Sequence, residues 1–423
     1  MSPPSKGNPM SAHAQTDSKT RHAPPAARLQ GLPGLVVKRI LSHLRTGRVV
    51  IDLPNGERID HAADRPGVEA HIIVHRWRAL RRLISSGDLG FAESFIAGDW
   101  TSPDLVSVME IAADNGGEFF KQMSMSLPLR IVNRVMHFLH SNTRAGSRRN
   151  IEFHYDLGNE FYSRWLDASM IYSSAIYASP DSTLEEAQAE KVREIIRRLE
   201  VRSGDSVLEI GCGWGTLAME IAAQSGAHVT GITLSPSQLE FAKSRVAEAG
   251  LERKVELKLE DYRDTPGQFD RIVSIEMIEA VGRKYLPRYF GAVHDRLKPQ
   301  GIAVIQAITI SEDREEAYRA QPDFIQRYIF PGGFLPTKTA IAKQAADAGM
   351  KLVETNCFGQ SYARTLAEWR LRFNDNWEGI SKLGFDESFH RLWNYYLSYC
   401  EAGFKTGVID VGHYTVIKSS SIS

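Results

Sequence analysis

From Val201 onward, short apolar runs of strand length alternate with stretches whose apolar residues recur every three or four positions. SVLEI, HVTGI, VELKL, FDRIVSI and GIAVIQAI read as strands with helices between them, which predicts an α/β fold on a doubly wound parallel sheet. Two later runs, KLVETNCF and VGHYTVIK, are placed at the far edge of that sheet. Between them, residues 366–404 are aromatic-rich and helical and read as an insertion. There Trp369, Phe373, Trp377, Phe389, Trp393 and Tyr396 recur at helical spacing, which assigns them to core.

The pattern before residue 151 is different. GRVVIDLPNGERI predicts a hairpin with an Asn55-Gly56 turn, AHIIVH another strand and Trp77 to Ile84 a helix, together a smaller N-terminal α+β domain over residues 29–120. Residues 1–28 read as a disordered tail, since the first 27 hold no Val, Ile, Leu or aromatic residue and five prolines. Residues 121–150 hold Lys121, Arg130, Arg134, Arg144, Arg148 and Arg149 and no acid. Within them Val132, Val135, Met136 and Leu139 share one helical face after Pro128, which predicts a basic amphipathic helix and linker. Such a helix docks on an anionic lipid surface, or packs its apolar stripe on its own domain with the arginines solvated. The α/β domain then occupies residues 151–423.

Composition narrows the function classes. At roughly 100 to 200 residues per domain, 423 residues make two or three domains, and 43% hydrophobic with 24% charged residues is ordinary folded composition. The balance of 51 basic against 51 acidic residues gives no global pull toward nucleic acid, so no nucleic-acid partner is expected. Cys212, Cys357 and Cys400 are too scattered for a disulfide framework or a zinc site, which points to a reducing, cytoplasmic setting without a metal. No apolar run approaches the ~18 residues of a membrane span and the N-terminus has no secretory apolar core, so any membrane contact is expected to be peripheral.

The segment VLEIGCGWGTLAMEIA is a strand, then Gly211, Gly213 and Gly215, then a helix from about Thr216. A dinucleotide fingerprint sets its third glycine one residue later and wants an acid after the next strand, where this chain has Thr233. A GxGxG loop preceded by Glu209 suits a cationic nucleoside better than a pyrophosphate; a tight strand-to-helix turn is the alternative.

Seven motifs in order then carry a family resemblance: HYDLGNEFY from His154, MIYSSAIY from Met170, LEIGCGWGT, GITLSPSQ, EDYRD, MIEAVG from Met277 and YIFPGG from Tyr328. Together they resemble the cyclopropane-fatty-acid synthase family, which includes the mycolic acid cyclopropane synthases. The resemblance covers roughly residues 70–417. It implies a Rossmann-like class I methyltransferase fold with helical insertions, and carbon methylation of an unsaturated phospholipid acyl chain by S-adenosylmethionine, with a cyclopropane as the leading product. It also makes the N-terminal α+β part a lipid-associated domain and places the protein peripherally at the inner face of the cytoplasmic membrane. By motif position the cofactor contacts fall on Tyr172, Ser173, Glu209, Gly211, Gly213, Gly215, Thr233, Leu234, Ser235, Gln238, Asp261 and Tyr262. For Thr233 and Gln238 the other reading is helix capping or a solvated loop.

An isolated alkene is a weak nucleophile, so the site must align it, exclude water and tolerate a carbocation. Aromatic faces in the matching motifs, Tyr155, Phe161, Tyr162, Tyr328 and Phe330, are expected to line the substrate pocket. The resemblance further implies a bound bicarbonate as base, in a cradle carried over to Glu279, the backbone at Ile308, and Tyr362. Two cradle positions depart from the family: Ser174 stands for Cys and Gln306 for His. Glu279 is expected to orient the base and help beside the cation, or else to cap the helix near Val281. The departures keep open a non-cyclising acyl methyltransferase giving methylene-branched, methyl-branched or furan precursors with a partner reductase, and a lipid-binding protein of reduced catalysis. A homodimer is compatible with the sequence, which does not fix the oligomeric state.

Overall fold

The computed structural model describes Val37 and residues 41–122, 157–320 and 322–419. The tail of residues 1–28, most of the basic 121–150 segment, and Tyr155 lie outside the described residues.

The N-terminal part is a four-stranded sheet in the order β2-β1-β3-β4, from β1 (Thr46–Asp52), β2 (Arg58–Ala62), β3 (Arg65–Val74) and β4 (Trp100–Thr101). β1 and β2 form an antiparallel hairpin in which Asp52 faces Arg58 across the Asn55-Gly56 turn. Helix α1 (Arg78–Ile96) outruns the predicted Trp77–Ile84 segment, because the chain breaks helical geometry only at Gly87 (φ 59°) and then resumes. Helix α2 (Leu105–Gln122) follows.

The second sheet has seven strands in the order β10-β11-β9-β8-β5-β6-β7. β5 (Ser206–Ile210), β6 (His228–Thr233), β7 (Val255–Leu259), β8 (Phe269–Ile275) and β9 (Leu297–Ile310) run parallel. β10 (Met350–Cys357) and β11 (Ile409–Lys418) close the edge antiparallel, so the sheet is mostly rather than wholly parallel. The strand order reverses between β5 and β8. A crevice opens at the carboxyl ends of strands at such a switch point, and the site lies there.

Local chemistry sets the helices around this sheet. Helix α3 (Leu184–Leu199) opens on a capping box between Thr183 and Glu186. Helix α4 (Thr216–Ser225) starts from Gly215 in the left-handed region, where a Cβ would sit 3.0 Å from that of Ala242. Helix α5 (Pro236–Glu248) has Ser235 as N-cap and proline in its first turn.

The aromatic-rich segment forms helix α6 (Gly359–Asp375), a short helix, and helix α7 (Glu387–Lys405). Trp369, Phe373 and Trp393 are buried in one ring cluster with Phe161 and Trp165. This core continues without a break into Val49, Phe95, Trp100 and Met109 of the N-terminal part. Phe95 meets Tyr395 at 5.6 Å between ring centroids, and the Arg391 guanidinium donates to the Ile96 carbonyl at 2.7 Å. No helix of the described residues is long and apolar enough to cross a membrane.

Candidate functional site

A cavity of about 470 Å³ opens beyond β5 and β8. One end is lined by Gly211, Gly213, Thr233, Leu234, Gln238, Asp261 and Tyr262; the other by Phe330, Tyr395, Tyr396 and Phe404, with Glu276, Glu279, Ile308 and Tyr362 between them. A smaller cavity of about 100 Å³ adjoins it, walled by Ser173, Lys191, Glu209 and Glu276. The fold thus sets polar residues around the glycine loop against apolar, aromatic ones from the insertion.

At the polar end, Gly211 adopts φ 86° and a Cβ there would sit 3.2 Å from the Met277 side chain. Gln238 is buried and accepts from the Thr233 hydroxyl at 3.3 Å, while Ser235 caps α5. Capping and cavity lining therefore coexist in this motif. Asp261 pairs with Arg263, Tyr262 packs edge-on against Tyr289, and the Tyr172 hydroxyl meets that of Tyr396 at 2.7 Å. Gly215 lies behind the wall, where its role is to start α4.

Glu209 is buried at the end of β5, and its Oε2 has no hydrogen-bond partner among the described residues. Burial pushes its carboxyl up to about 8. Lys191 is buried as well, donating to the Ser173 hydroxyl at 2.7 Å; burial brings its ammonium down to about 8 against the pull of Glu276, Asp167 and Glu209. A buried carboxyl group with one unpartnered oxygen, beside close-approach glycines, fits a cationic, amino-acid-bearing nucleoside such as S-adenosylmethionine, as the spacing suggests. Lys191 was not singled out by motif. Its signal was spacing, since Leu184, Gln188, Lys191, Ile195 and Arg198 fall on the buried face of α3.

The middle of the cavity departs most from expectation. The Ser174 amide donates to Glu276 Oε1 at 2.9 Å, Gln306 Nε2 donates to the same oxygen at 2.7 Å, and the Tyr362 hydroxyl donates to Oε2 at 2.7 Å. Three donors expected to cradle an external anion thus hold a side chain of the protein. The Ser174 hydroxyl is turned away, donating to the Ala175 carbonyl, and Gln306 Oε1 faces His413 Nε2 at 2.9 Å. Glu276 sits at φ 48°, a left-handed conformation unfavourable for a residue with a side chain. Burial raises its carboxyl, with Tyr362, the Ser174 amide, Lys191 and Gln306 pulling the other way.

Glu279 does not cap the helix near Val281. Its Oε1 accepts from the Ile308 amide at 2.5 Å and its Oε2 has no partner among the described residues. Burial, then the charge of Glu276, raises it to about 8. Its own carbonyl accepts from Phe334, fastening the YIFPGG turn to the site.

Of the aromatic residues expected in the substrate pocket, Phe330 lines the cavity. Phe161 and Tyr162 are fully buried in the ring cluster behind it, and Tyr328 turns its hydroxyl to Glu93 Oε1 at 2.5 Å, tying α1 to the turn that precedes YIFPGG's glycines. They are packing residues because their short helices face the insertion and α1. Tyr396, assigned to core by its spacing, is buried yet also faces the cavity. No cluster able to hold a metal ion occurs among the described residues.

Comparison with known proteins agrees with this geometry. Residues 142–414 match the family model for mycolic acid cyclopropane synthetase. The chain is 39% identical over 411 residues to the tuberculostearic acid methyltransferase UfaA1 of Mycobacterium tuberculosis, covering 95% of this chain and 94% of the relative. It is 36% identical over 328 residues to the cyclopropane-fatty-acyl-phospholipid synthase of Escherichia coli K12, covering 77% and 82% respectively. Among solved structures, the mycolic acid cyclopropane synthase CmaA1 complexed with SAH and CTAB superposes with a TM-score of 0.61 at 30% identity, over 64% of this chain and 98% of that one.

Proposed function

The chain belongs to the mycolic acid cyclopropane synthetase family and is an S-adenosylmethionine-dependent methyltransferase of lipid chains, and from that premise we propose its particular reaction. It transfers a methyl carbon to the cis double bond of an unsaturated phospholipid acyl chain and leaves a methylene branch, which a partner reductase converts to a methyl branch by adding hydride and a proton. The observation that carries this reading is the altered cradle: Ser174, Gln306 and Tyr362 hold Glu276. Similarity along 95% of the chain to a protein named for tuberculostearic acid, a branched rather than a ring-bearing chain, supports it. A cyclopropane product is the second reading, favoured by the 36% identity to the cyclopropane-fatty-acyl-phospholipid synthase.

The cofactor supplies the electrophilic methyl group; Glu209, Gly211, Gly213, Gln238 and Asp261 are the residues that would hold it. The chain's own part is to align the alkene, keep the site dry and stabilise developing positive charge. Phe330 and Tyr396 are aromatic residues of the cavity wall, and the carboxyl groups of Glu276 and Glu279 lie in it as well. The basic residues between 121 and 150 are the proposed contact with anionic lipid at the cytoplasmic membrane face, from which an acyl chain enters the apolar end.

Expression in cells rich in cis-monounsaturated phospholipids and lacking their own cyclopropane synthase tests the reaction. Proton NMR of the extracted acyl chains should show exocyclic alkene protons. Upfield ring-methylene protons would establish the second reading, and no added carbon would refute both.

A further inference from the structure

We propose that Glu276 is the proton acceptor of the reaction, a base built into the chain in place of an anion taken from solution. This rests on the acyl methyltransferase reading and adds to it the group that ends the reaction.

Glu276 is positioned for this role. Glu276 follows directly on β8 at the point where strand order reverses, and it lines both the large cavity and the smaller one beneath the glycine loop. It therefore stands where the cofactor end and the apolar end meet. Its left-handed backbone is the kind of local strain that a fold retains where the side chain's placement matters.

Glu276 is also immobilised. Its donors come from three separate segments: the Ser174 amide after MIYS, Gln306 on β9 and Tyr362 on α6. A carboxylate has roughly four acceptor positions, so three bonds fix both oxygens and leave one lone pair, on Oε2, for an incoming proton.

Hydrogen-bond donors also separate Glu276 from Glu279. Two carboxylates in one dry wall do not both ionise readily, and the one with more donors ionises first. Glu276 has three donors from other segments and the nearby charge of Lys191; Glu279 has only backbone amides, that of Ile308 and its own, and is raised to about 8. Glu276 is thus the carboxylate, and Glu279 the carboxylic acid beside it.

The step balances without a co-reactant. Once the methyl carbon is joined to one alkene carbon, the neighbouring carbon is cationic. A 1,2-hydride shift moves the charge to the branched carbon, Glu276 takes a proton from the new methyl group, and the C–H pair becomes the exocyclic double bond. Without the shift, the same proton loss directs that pair into a ring bond. In either case the proton rests on Glu276 and passes to solvent as product leaves.

The test uses the full chain with S-adenosylmethionine and dioleoyl phosphatidylglycerol vesicles in carbonate-free buffer. Wild-type turnover should not respond to added bicarbonate. Glu276→Gln should lower turnover roughly 100-fold or more, with adenosylhomocysteine affinity by calorimetry within about threefold of wild type. Glu276→Gly relieves the backbone and vacates the three donors, so it should be inactive alone and regain turnover with formate or bicarbonate. Near-wild-type turnover of Glu276→Gln, a bicarbonate requirement in the wild type, or a Glu276→Gly variant that binds adenosylhomocysteine yet is not rescued would each overturn the assignment. A wild type that adds no carbon to these lipids would instead sink the parent reading.

Discussion

His413 Nε2 and Gln306 Oε1 stand 2.9 Å apart, and both side chains are fully buried. Because an amide oxygen only accepts, His413 must carry its proton on Nε2, and Gln306 is thereby oriented with its nitrogen toward Glu276. A residue on β11 thus sets the direction of a side chain on β9 that holds Glu276. Gln306→Met keeps the approximate volume and breaks both bonds. It should destabilise the protein by about 2–3 kcal/mol and lower turnover at least tenfold; an unchanged urea midpoint would contradict the relay.

His413 also predicts an acid limit. Burial pushes its imidazole from 6.5 down to about 3. The folded value lies below the unfolded one, so the neutral ring's contribution is complete above about 6.5 and is lost as pH falls toward 3. Relative to His413→Gln, the wild type should lose about 3 kcal/mol between pH 7 and pH 4 in urea titrations. Parallel curves for the two proteins would refute this.

Glu209, raised to about 8, holds its proton at neutral pH in the free protein. A cationic ligand favours the carboxylate, so binding S-adenosylmethionine should release a proton, and affinity should rise from pH 7 to about 8 and level off above. Calorimetry in two buffers of different ionisation enthalpy reads this directly. Identical apparent enthalpies would mean that Glu209 does not meet the positive charge.

Glu279→Gln should lower turnover by about tenfold or more while leaving cofactor binding intact. Its raised folded value has the opposite consequence for stability: the protein is penalised progressively as pH rises from the ordinary carboxyl value of 4.5 to about 8, above which the penalty is complete. The variant should therefore gain on the wild type in melting temperature from pH 5 to pH 8, hold that gain, and melt above it at pH 9. A lower melting temperature at pH 9 would count against this.

Tyr328→Phe removes the hydroxyl that reaches Glu93. Stability should fall by about 1–2 kcal/mol, with turnover within about threefold of wild type and an unaltered product. A changed product ratio would return Tyr328 to the substrate pocket.

Much of the α/β core was legible because strands such as SVLEI and FDRIVSI are apolar runs bounded by turn residues, and parallel strands buried on both faces have that appearance. The edge position of KLVETNCF and VGHYTVIK was legible as well, but not their antiparallel direction, of which the runs carry no mark. In the site, motif order located Glu279, Gln306 and Tyr362, but not that Gln306 and Tyr362 serve a third residue. Glu276 lay in plain view three residues before Glu279; only its place after β8, together with the donors converging from Ser174 and α6, distinguishes it from an ordinary strand-end acid. Phe161 and Tyr162 misled because a buried ring in a functional motif reads the same whether it lines a cavity or supports it.

The left-handed backbone at residue 276 has an evolutionary reading. Glycine is the residue that conformation favours, and glycine and glutamate codons differ by a single middle base. A glycine at this position would present the same three donors to a small anion from solution, so a single nucleotide change separates a base carried by the chain from one borrowed from its surroundings.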